Sequence, residues 1–276
     1  MINKDLRWKM LEENIDISIR KQCKMLKLCR SSYYNVNLDI EESNLANKIM
    51  EIYLSSDCRY GYRKIAMALR RKNIIVNRKK VLRIMKESGI QGLYPKKRFN
   101  NSSTNKSHKI HPYLLSGLKI CRANQVWATD ITYIKVNNSF MYFIAIIDIY
   151  SRYIIASDLS HSMEANFCID TLKEALKINV PEIFNSDQGS QFTSSDFIIE
   201  LEKSNIKVSM DHKGRCFDNI YVERLWRTLK QEVIYYYKPE TIKELEIQLN
   251  EFVLWYNEER LHQSLNYRTP KELYFG

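Results

Sequence analysis

The sequence predicts a mixed α/β domain preceded by small all-α modules. Runs rich in Ile, Tyr, Phe and Val begin at residue 126 and are separated by turn residues. Before residue 95 the apolar positions recur at helical spacing instead. The chain has 276 residues, of which 45% are hydrophobic, which is enough to bury a core and too much for a wholly disordered chain. We therefore expect one domain of catalytic size with smaller appendages.

Positive charge is concentrated in one segment of the chain. The formal net charge is +11, and the segment Arg59 to Lys109 holds 16 Lys and Arg against one acid, Glu87. The remainder of the sequence is therefore slightly acidic. A basic module of this kind suits a polyanion, and nucleic acid is the commonest one in the cytoplasm. The alternative is a basic segment that only increases solubility.

Several classes of protein are excluded by simple patterns. The longest apolar run, Phe140 to Ile147, is far shorter than a membrane helix requires, and Met1 to Met10 is too polar for a signal peptide. The six cysteines are widely spaced without a Cys-x-x-Cys, which favours reduced packing residues over a disulfide framework or zinc knuckle. We expect a soluble cytoplasmic protein that has no membrane partner and associates with the nucleoid when bound to DNA.

The N-terminal third of the chain is predicted to be helical. The segment Ile17 to Asn35 predicts two short helices joined by a tight turn near Lys27. This pair is either a helix-turn-helix unit or an ordinary helical hairpin. Leu45 to Leu54 and Arg63 to Arg71 each place apolar residues on one face and are predicted as amphipathic helices.

A further helix is predicted to begin after Asn77 as its N-cap and to end at Gly89. Its first turns carry cations, although a helix N-terminus favours anions. Intrinsic helix stability does not explain these cations, but a nearby phosphate backbone does, since recognition helices present their N-terminal residues to DNA. The predicted DNA contacts are Arg78, Lys79, Lys80 and Arg83.

The next segment, up to Lys109, is polar, basic and rich in Asn and Ser, with no apolar period. It is predicted to be a flexible linker that follows DNA phosphates when bound. Its leading cations are Lys96, Lys97 and Arg98.

Strands follow the linker. Val126 to Ile134, Phe140 to Ile147 and Tyr153 to Ser157 predict an antiparallel three-stranded meander. A helix is predicted over Glu164 to Lys177 and a short strand over Glu182 to Asn185. The fold class of this part is therefore mixed α/β.

Three acids stand out among these elements. Asp130 lies within the first strand, Asp187 ends the fourth strand, and Glu223 lies on a later helix with Arg227 and Lys230 at i+4 and i+7. Any one of them alone is more typical of a structural acid, a turn residue or a solvated helix pair. Thirty-five residues lie between Asp187 and Glu223.

The motifs around these acids carry a resemblance to a known family. The chain resembles the DDE-type insertion-sequence transposases with a retroviral-integrase-like core, and among them the OrfB protein of IS-three-type elements. The resemblance covers nearly the whole chain. The matching strings are YGYRKI (60–65), VNRKKVLRIMKESGI (76–90), VWATDITYI (126–134), SDQGSQFTS (186–194), SMDHKGRCFDNIYVERLWRTLKQE (209–232) and YNEERLHQSLNYRTPKELY (256–274).

The resemblance implies a ribonuclease-H-like core with a mixed five-stranded sheet, and catalysis by Asp130, Asp187 and Glu223. It implies that these acids hold two Mg²⁺ ions, for which Mn²⁺ can substitute, and that Lys230 contacts a DNA phosphate. Arg227 is expected either to contact DNA or to neutralise the adjacent Glu. The chain departs from the family in two places. Asn185 stands where the family commonly has His, and Arg215 and residues 220–222 differ from the family's residues before the Glu. Neither departure removes a metal ligand, so we expect an active enzyme.

The resemblance also divides the chain. We expect a helix-turn-helix-like segment over 1–38, a basic helix-turn-helix module over 39–95 and a linker over 96–120. The catalytic core is expected over 121–238 and a helical extension over 239–276.

The expected function is cleavage of DNA 3′ ends and strand transfer for a bacterial insertion sequence. The expected partners are the terminal inverted repeats and target DNA, further copies of the chain on DNA, and an upstream-frame protein or fusion. The competing functions are a non-catalytic DNA-binding regulator derived from a transposase and a metal-dependent nuclease.

Overall fold

The structure of the protein is a computed structural model. It describes residues 10–11, 17–93, 111–137, 139–211 and 220–276, and for residues 31–41 it describes the backbone only. The chain forms two compact units, Met1–Leu93 and Tyr94–Gly276. No helix in these described ranges is both long enough and apolar enough to cross a bilayer.

The first unit contains four described helices: α1 (Ile19–Met25), α2 (Arg30–Ser55), α3 (Tyr62–Arg71) and α4 (Arg78–Glu87). The predicted turn near Lys27 is present, with that residue in the left-handed region at φ 51°. The helix that starts at Arg30 continues to Ser55, so α2 runs through the expected boundary between residues 38 and 39.

Helices α3 and α4 form the predicted amphipathic pair against α2. Their inward faces bury Ile65, Leu69, Val81, Ile84 and Met85, at most 3% exposed. This apolar contact is what holds the small unit together, because each short helix is marginal alone.

Both predicted ends of α4 are confirmed. The Asn77 side chain accepts a hydrogen bond from the Lys79 amide at 2.9 Å and caps the helix. Gly89 follows the last turn at φ +67°, and the Ile90 amide donates to the Met85 carbonyl at 2.9 Å. The expected DNA-binding residues Lys96, Lys97 and Arg98 lie outside the described residues.

The second unit is built on a five-stranded mixed sheet in the order β3-β2-β1-β4-β5. The first three strands form the predicted antiparallel meander, and β4 and β5 are added in parallel to β1. Its elements are β1 (Val126–Val136), β2 (Ser139–Asp148), β3 (Ile154–Ser160), α5 (Ala165–Ile178), β4 (Ile183–Ser186), α6 (Ser195–Lys203) and β5 (Lys207–Met210).

Helices cover both faces of the sheet. On one face, α5 and α6 pack on alternate residues of the strands, including Trp127 and Phe184. On the other face Ala128 and Ile147 belong to a second apolar cluster that includes Trp226. The period of two along each strand therefore divides the side chains between two cores, as expected for a sheet buried on both sides.

The remaining helices follow the sheet. They are α7 (Ile220–Leu229), a π-helical segment (Lys230–Ile234) that continues into a helical turn (Tyr235–Tyr237), α8 (Ile242–Glu258) and α9 (Pro270–Tyr274). Helices α7 and α8 belong to the second cluster, whereas Tyr274 of α9 belongs to the first. Leu245, Leu249 and Phe252 of α8 are buried in the same cluster as α7. The expected helical extension over 239–276 thus forms part of the core of the second unit.

An ion pair joins this extension to the π-helical segment. Arg260 Nη2 and Nε donate to the two carboxylate oxygens of Glu232 at 2.7 and 3.1 Å, and the two side chains are 12% and 14% exposed. The bidentate geometry is specific to a guanidinium. The segment after α8 therefore fixes the position of the helix that carries Glu223.

Candidate active site

Asp130 and Asp187 are brought together by the register of two parallel strands. The last pair between β1 and β4 is Ala128 with Asn185. Each Asp follows its own strand's member of that pair by two residues, so the register brings both to the same edge of the sheet. Neighbouring strands lie only about 4.8 Å apart, and Asp187 is close enough to raise the pKa of Asp130.

Glu223 is brought to the same place by α7. Three residues further along that helix, the Trp226 indole Nε1 donates a hydrogen bond to Asp130 Oδ2 at 2.9 Å. The Trp226 ring also packs edge-on against Phe143 with centroids 5.8 Å apart. Because residues at i and i+3 are neighbours on a helix surface, this anchor places Glu223 beside the strand that carries Asp130.

The electrostatics of Asp130 reflect this convergence. Burial, followed by the negative charge of Asp187, raises the pKa of Asp130 to about 7, and Glu223 adds a smaller effect in the same direction. Hydrogen bonds from Trp226 and from the Ile131 amide, at 2.9 and 2.8 Å, oppose that rise because they favour the carboxylate. Two acids far from Asp130 in sequence therefore lie close enough to act on it.

Asp187 is held by its own loop. Burial raises the pKa of Asp187, and a hydrogen bond from the Gly189 amide to Oδ1, at 3.0 Å, opposes the rise. A Cβ on Gly189 would come within 3.0 Å of the same carboxylate oxygen and 3.1 Å of Gln191 Oε1. Glycine at this position keeps the amide close to Asp187, which a larger residue would displace.

A buried polar chain supports this loop from below. Asn185 is fully buried; its Nδ2 donates to Asp211 Oδ1 at 2.8 Å, and its Oδ1 accepts from Ser209 Oγ at 2.8 Å. Ser209 Oγ in turn accepts from the Leu114 amide at 3.0 Å. The departure at Asn185 is thus accommodated by an amide that uses both of its polar atoms, two residues before Asp187.

The three carboxylates suit a divalent cation by their chemistry. They supply oxygen ligands, and burial raises the pKa of both Asp130 and Asp187, with the charge of Asp187 adding to the effect on Asp130; a bound cation would favour the ionised form of both. Within the described ranges, no three His, Cys, Asp or Glu side chains are already arranged to hold a metal ion. The acids form an electrostatic cluster rather than a preformed cage.

Two cations lie on the helix of Glu223. Arg227 is exposed, and the ion pairs between described residues do not include one that joins it to Glu223. Lys230 begins the π-helical segment, with its Nζ 5.0 Å from the centre of the Tyr133 ring. π-helical turns occur often at functional sites.

The predicted DNA-contacting cations of the first unit divide into two groups. Arg78 and Lys79 are exposed at the start of α4. Arg83 pairs with Glu42 and with Glu87, at 2.6 and 3.0 Å, and Lys80 Nζ lies 3.6 Å from Glu42.

One residue of the site was not among the predicted site residues. The Trp226 ring packs in the core, and its indole also donates a hydrogen bond to Asp130; its position three residues after Glu223 was the available signal. Asp148, at the end of β2, has a structural role, since its carboxylate accepts hydrogen bonds from Ser151 and from the Asn124 amide.

Comparisons with known protein families agree with this architecture. Models described as integrase core domains match residues 121–216 and 204–270, and an HTH-like domain matches residues 39–98. The fold is similar to that of a simian T-cell lymphotropic virus intasome structure, with a TM-score of 0.50 and 15% identity over 83% of this chain and 74% of that one. Fold and matched domains together define a polynucleotidyl transferase with an integrase-type core.

Two relatives identify the family to which the chain belongs within this class of enzymes. The transposase for insertion sequence element IS904 of Lactococcus lactis subsp. lactis (strain IL1403) is 31% identical over 84% of this chain and 94% of its own length. The transposase InsF for insertion sequence IS3A of Escherichia coli (strain K12) is 27% identical over 80% and 81%. The chain belongs to the family of insertion-sequence transposases of the IS3 type, and its HTH-like and integrase domains are DNA-binding.

Proposed function

We propose that this chain cuts DNA 3′ ends at the termini of its insertion element and joins them to target DNA. The observation that carries the proposal is the convergence of the three acids. The β1–β4 register brings Asp130 and Asp187 to one edge of the sheet, and Trp226 anchors the helix of Glu223 to Asp130. Burial and these acids raise the pKa of Asp130, and perturbed carboxyls of this kind cluster at catalytic sites. In the first step water attacks the phosphodiester, and in the second the released 3′-hydroxyl attacks a target phosphodiester, with no covalent intermediate on the protein.

The same acids are proposed to hold two Mg²⁺ ions, or Mn²⁺ in their place. Asp130 would contribute to both, and Asp187 and Glu223 to one each. When bound, such ions neutralise the phosphate oxygens and activate the attacking and leaving oxygens. The donor set supports this assignment, because it consists of carboxylate oxygens, which Mg²⁺ prefers as ligands.

The surrounding residues keep these acids ready. Trp226 and the Ile131 amide donate to Asp130 and favour its ionised form, which is the form that binds a cation. The Gly189 amide does the same for Asp187. Lys230 and Arg227, on the helix of Glu223, are proposed to contact phosphates of the DNA that enters the cluster.

The decisive experiment is a strand-transfer assay in Mg²⁺ with a duplex that ends in the terminal inverted repeat of the encoding element. Asp187→Asn should abolish both cleavage and joining but retain DNA binding, since it removes one carboxylate of the cluster. Asp170→Asn, which changes an exposed acid on α5, should leave both steps unchanged.

The outcomes separate the competing functions. Cleavage without joining would indicate a nuclease. DNA binding without cleavage by the parent protein would indicate a non-catalytic regulator. Equal cleavage by the parent and Asp187→Asn would refute the assignment of the acids.

We further propose that α4 is the main DNA-binding element of the first unit. Its exposed Arg78 and Lys79 support the proposal most directly, and Lys80 and Arg83 exchange their Glu partners for phosphate on binding. The double variant Arg78→Ala, Lys79→Ala should reduce the salt dependence of DNA binding by about two phosphate contacts.

The matched control is Lys86→Ala, which removes an exposed cation from the last turn of the same helix. The measurement is the slope of log Kobs against log salt concentration. A slope in the double variant equal to that of the control would contradict the role of α4.

Joining two DNA ends requires two active sites close together, so we propose that the chain acts as a homo-multimer on DNA, alone or with an upstream-frame partner. Light scattering of the complex with end-containing duplex should give a mass of more than one chain per complex. A complex with one chain would contradict this.

A further inference from the structure

A pocket of about 260 Å³ lies in the second unit, and none of the three acids lines it. It is open to solvent and is lined by the turn between β2 and β3, the first turn of α7, the segment after α8, and Ile120 and Leu273. Its polar lining includes two guanidinium groups, and the described residues that line it include no carboxylate. The polar lining residues are Tyr150, Arg152, Tyr221, Ser264, Asn266 and Arg268.

Arg152 lines the pocket, and its position is set by its backbone conformation and by an aromatic ring. Arg152 occupies the left-handed region at φ +67°, and its amide donates to the Asp148 carbonyl at 2.8 Å. Its guanidinium carbon lies 3.8 Å from the centre of the Tyr221 ring. A strained, non-glycine conformation that directs a charged group onto a ring is typical of a functional position.

The Arg152 guanidinium is not fully satisfied. Its Nη1 is buried and has no hydrogen-bond partner within the described part of the chain. Asp148 is the acid that interacts with it electrostatically, but the carboxylate of Asp148 already accepts hydrogen bonds from Asn124 and from Ser151. Burial lowers the pKa of Arg152, which indicates a charge that lacks full compensation.

The mouth of the pocket carries further donors. Ser264, Asn266 and Arg268 are exposed, on a segment with two consecutive left-handed residues, Asn266 at φ 54° and Tyr267 at φ 59°. The His262 amide donates to the Arg268 carbonyl at 3.2 Å and closes this segment into a loop. The backbone is therefore ordered before any ligand arrives, which favours tight anion binding.

We propose that this pocket binds one phosphate of the DNA backbone, between the guanidinium groups of Arg152 and Arg268, with Ser264 and Asn266 as additional donors. Paired guanidinium groups match the oxygens of a phosphate. The proposal rests on the proposed function, since it takes the DNA of the transposition reaction as the ligand. Tyr221 precedes Glu223 by two residues on α7, so the same helix contributes to both the pocket and the acidic cluster.

The test measures the salt dependence of DNA binding by the full chain. Fluorescence anisotropy with a labelled duplex, between roughly 50 and 200 mM KCl, gives the slope of log Kobs against log salt concentration. Arg268→Gln should lower the magnitude of this slope by about one. Arg122→Gln is the matched control, because it changes another exposed Arg of the same unit, paired with Glu182, and should leave the slope unchanged.

Arg152 requires a second variant, since the loss of its contact with Tyr221 endangers folding. Arg152→Lys keeps the charge but loses the planar fork, and should weaken DNA binding while circular dichroism stays like that of the parent. An unchanged slope in Arg268→Gln together with unchanged affinity in Arg152→Lys would overturn the proposal.

A separate arm distinguishes the source of the phosphate. Thermal unfolding is compared in inorganic phosphate and in chloride at equal ionic strength, for the parent and for Arg268→Gln. Stabilisation of the parent alone by inorganic phosphate, with no change in the DNA slope, would show a free-anion site and overturn the DNA assignment. If the variants carry out normal strand transfer and their salt slopes equal that of the parent, the phosphate-site proposal is refuted and the proposed function stands. If the variants have smaller salt slopes but the parent does not cleave DNA, the proposed function is refuted and the phosphate site stands.

Discussion

The acidic cluster should destabilise the folded protein in the absence of a cation, and Asp130→Asn tests this directly. The pKa of Asp130 is about 7 in the folded chain against 3.8 for an ordinary Asp. This difference lowers the free energy of unfolding by about 4 kcal/mol at pH values above about 7. A folded pKa above the unfolded one means that stability is present at low pH and is lost as the pH rises toward about 7. Asn removes the charge and keeps the shape, so the variant should be more stable than the parent.

The gain should depend on pH in a defined way. Near pH 8 it should approach about 4 kcal/mol, less whatever the Asn amide loses in hydrogen bonding, and near pH 5 it should fall to about 1.5 kcal/mol. The assay is urea unfolding followed by tryptophan fluorescence, since Trp127, Trp226 and Trp255 all lie in the second unit. A gain that does not change between these two pH values, or a loss of stability near pH 8, would refute the reasoning.

The control is Asp158→Asn. Asp158 is also a strand carboxylate that accepts a hydrogen bond from the next amide, at 2.8 Å, but it is exposed. Its replacement should change stability by less than about 0.5 kcal/mol at either pH. Saturating Mg²⁺ should stabilise the parent by about 2.7 kcal/mol at 100 times its Kd, and should stabilise Asp130→Asn much less.

Three further variants test the neighbours of the cluster. Trp226→Phe removes a hydrogen bond to the Asp130 carboxylate, worth about 1.5 to 3 kcal/mol, and so raises the pKa of Asp130 further. The cleavage rate near pH 7 should therefore fall by about 10- to 100-fold and recover at higher pH, and an equal loss at all pH values would contradict this. Gly189→Ala should displace Asp187 and lower the cleavage rate by about 10- to 100-fold with little change in melting temperature, and an unaltered rate would show that the loop yields. Glu232→Gln breaks a mostly buried ion pair and should lower the free energy of unfolding in urea by about 3 kcal/mol. The same change at Glu258, which breaks an exposed pair, should lower it by under about 1 kcal/mol. Equal losses would argue against a structural role for the Glu232 pair.

Local patterns in the sequence were sufficient for most elements. Asn77 and Gly89 end a helix through contacts within four residues of themselves, and both were predicted. The strand periods also predicted the meander of β1 to β3, with bounds within three residues of those observed. Such signals survive in a linear sequence because hydrophobic alternation and capping act over short separations.

The long helix α2 was not predicted as one element. Ser31, Ser32 and Asn35 resemble start and turn signals, and they divided a backbone that is helical from Arg30 to Ser55. Polar residues of this kind favour caps and turns, but they are tolerated inside a helix, and the rest of α2 overrides that local preference.

The identities of the three acids, their spacing and the basic helix were determined by the sequence alone. The tertiary structure decided how the acids are brought together. The indole that holds Asp130 lies 96 positions further along the chain, the register of β4 against β1 sets the level of Asp187, and Arg260 fixes the helix of Glu223 through Glu232. The pocket at Arg152 is likewise assembled from distant segments of the chain. Contacts between residues so far apart depend on how complete elements pack, which no local pattern of residues encodes.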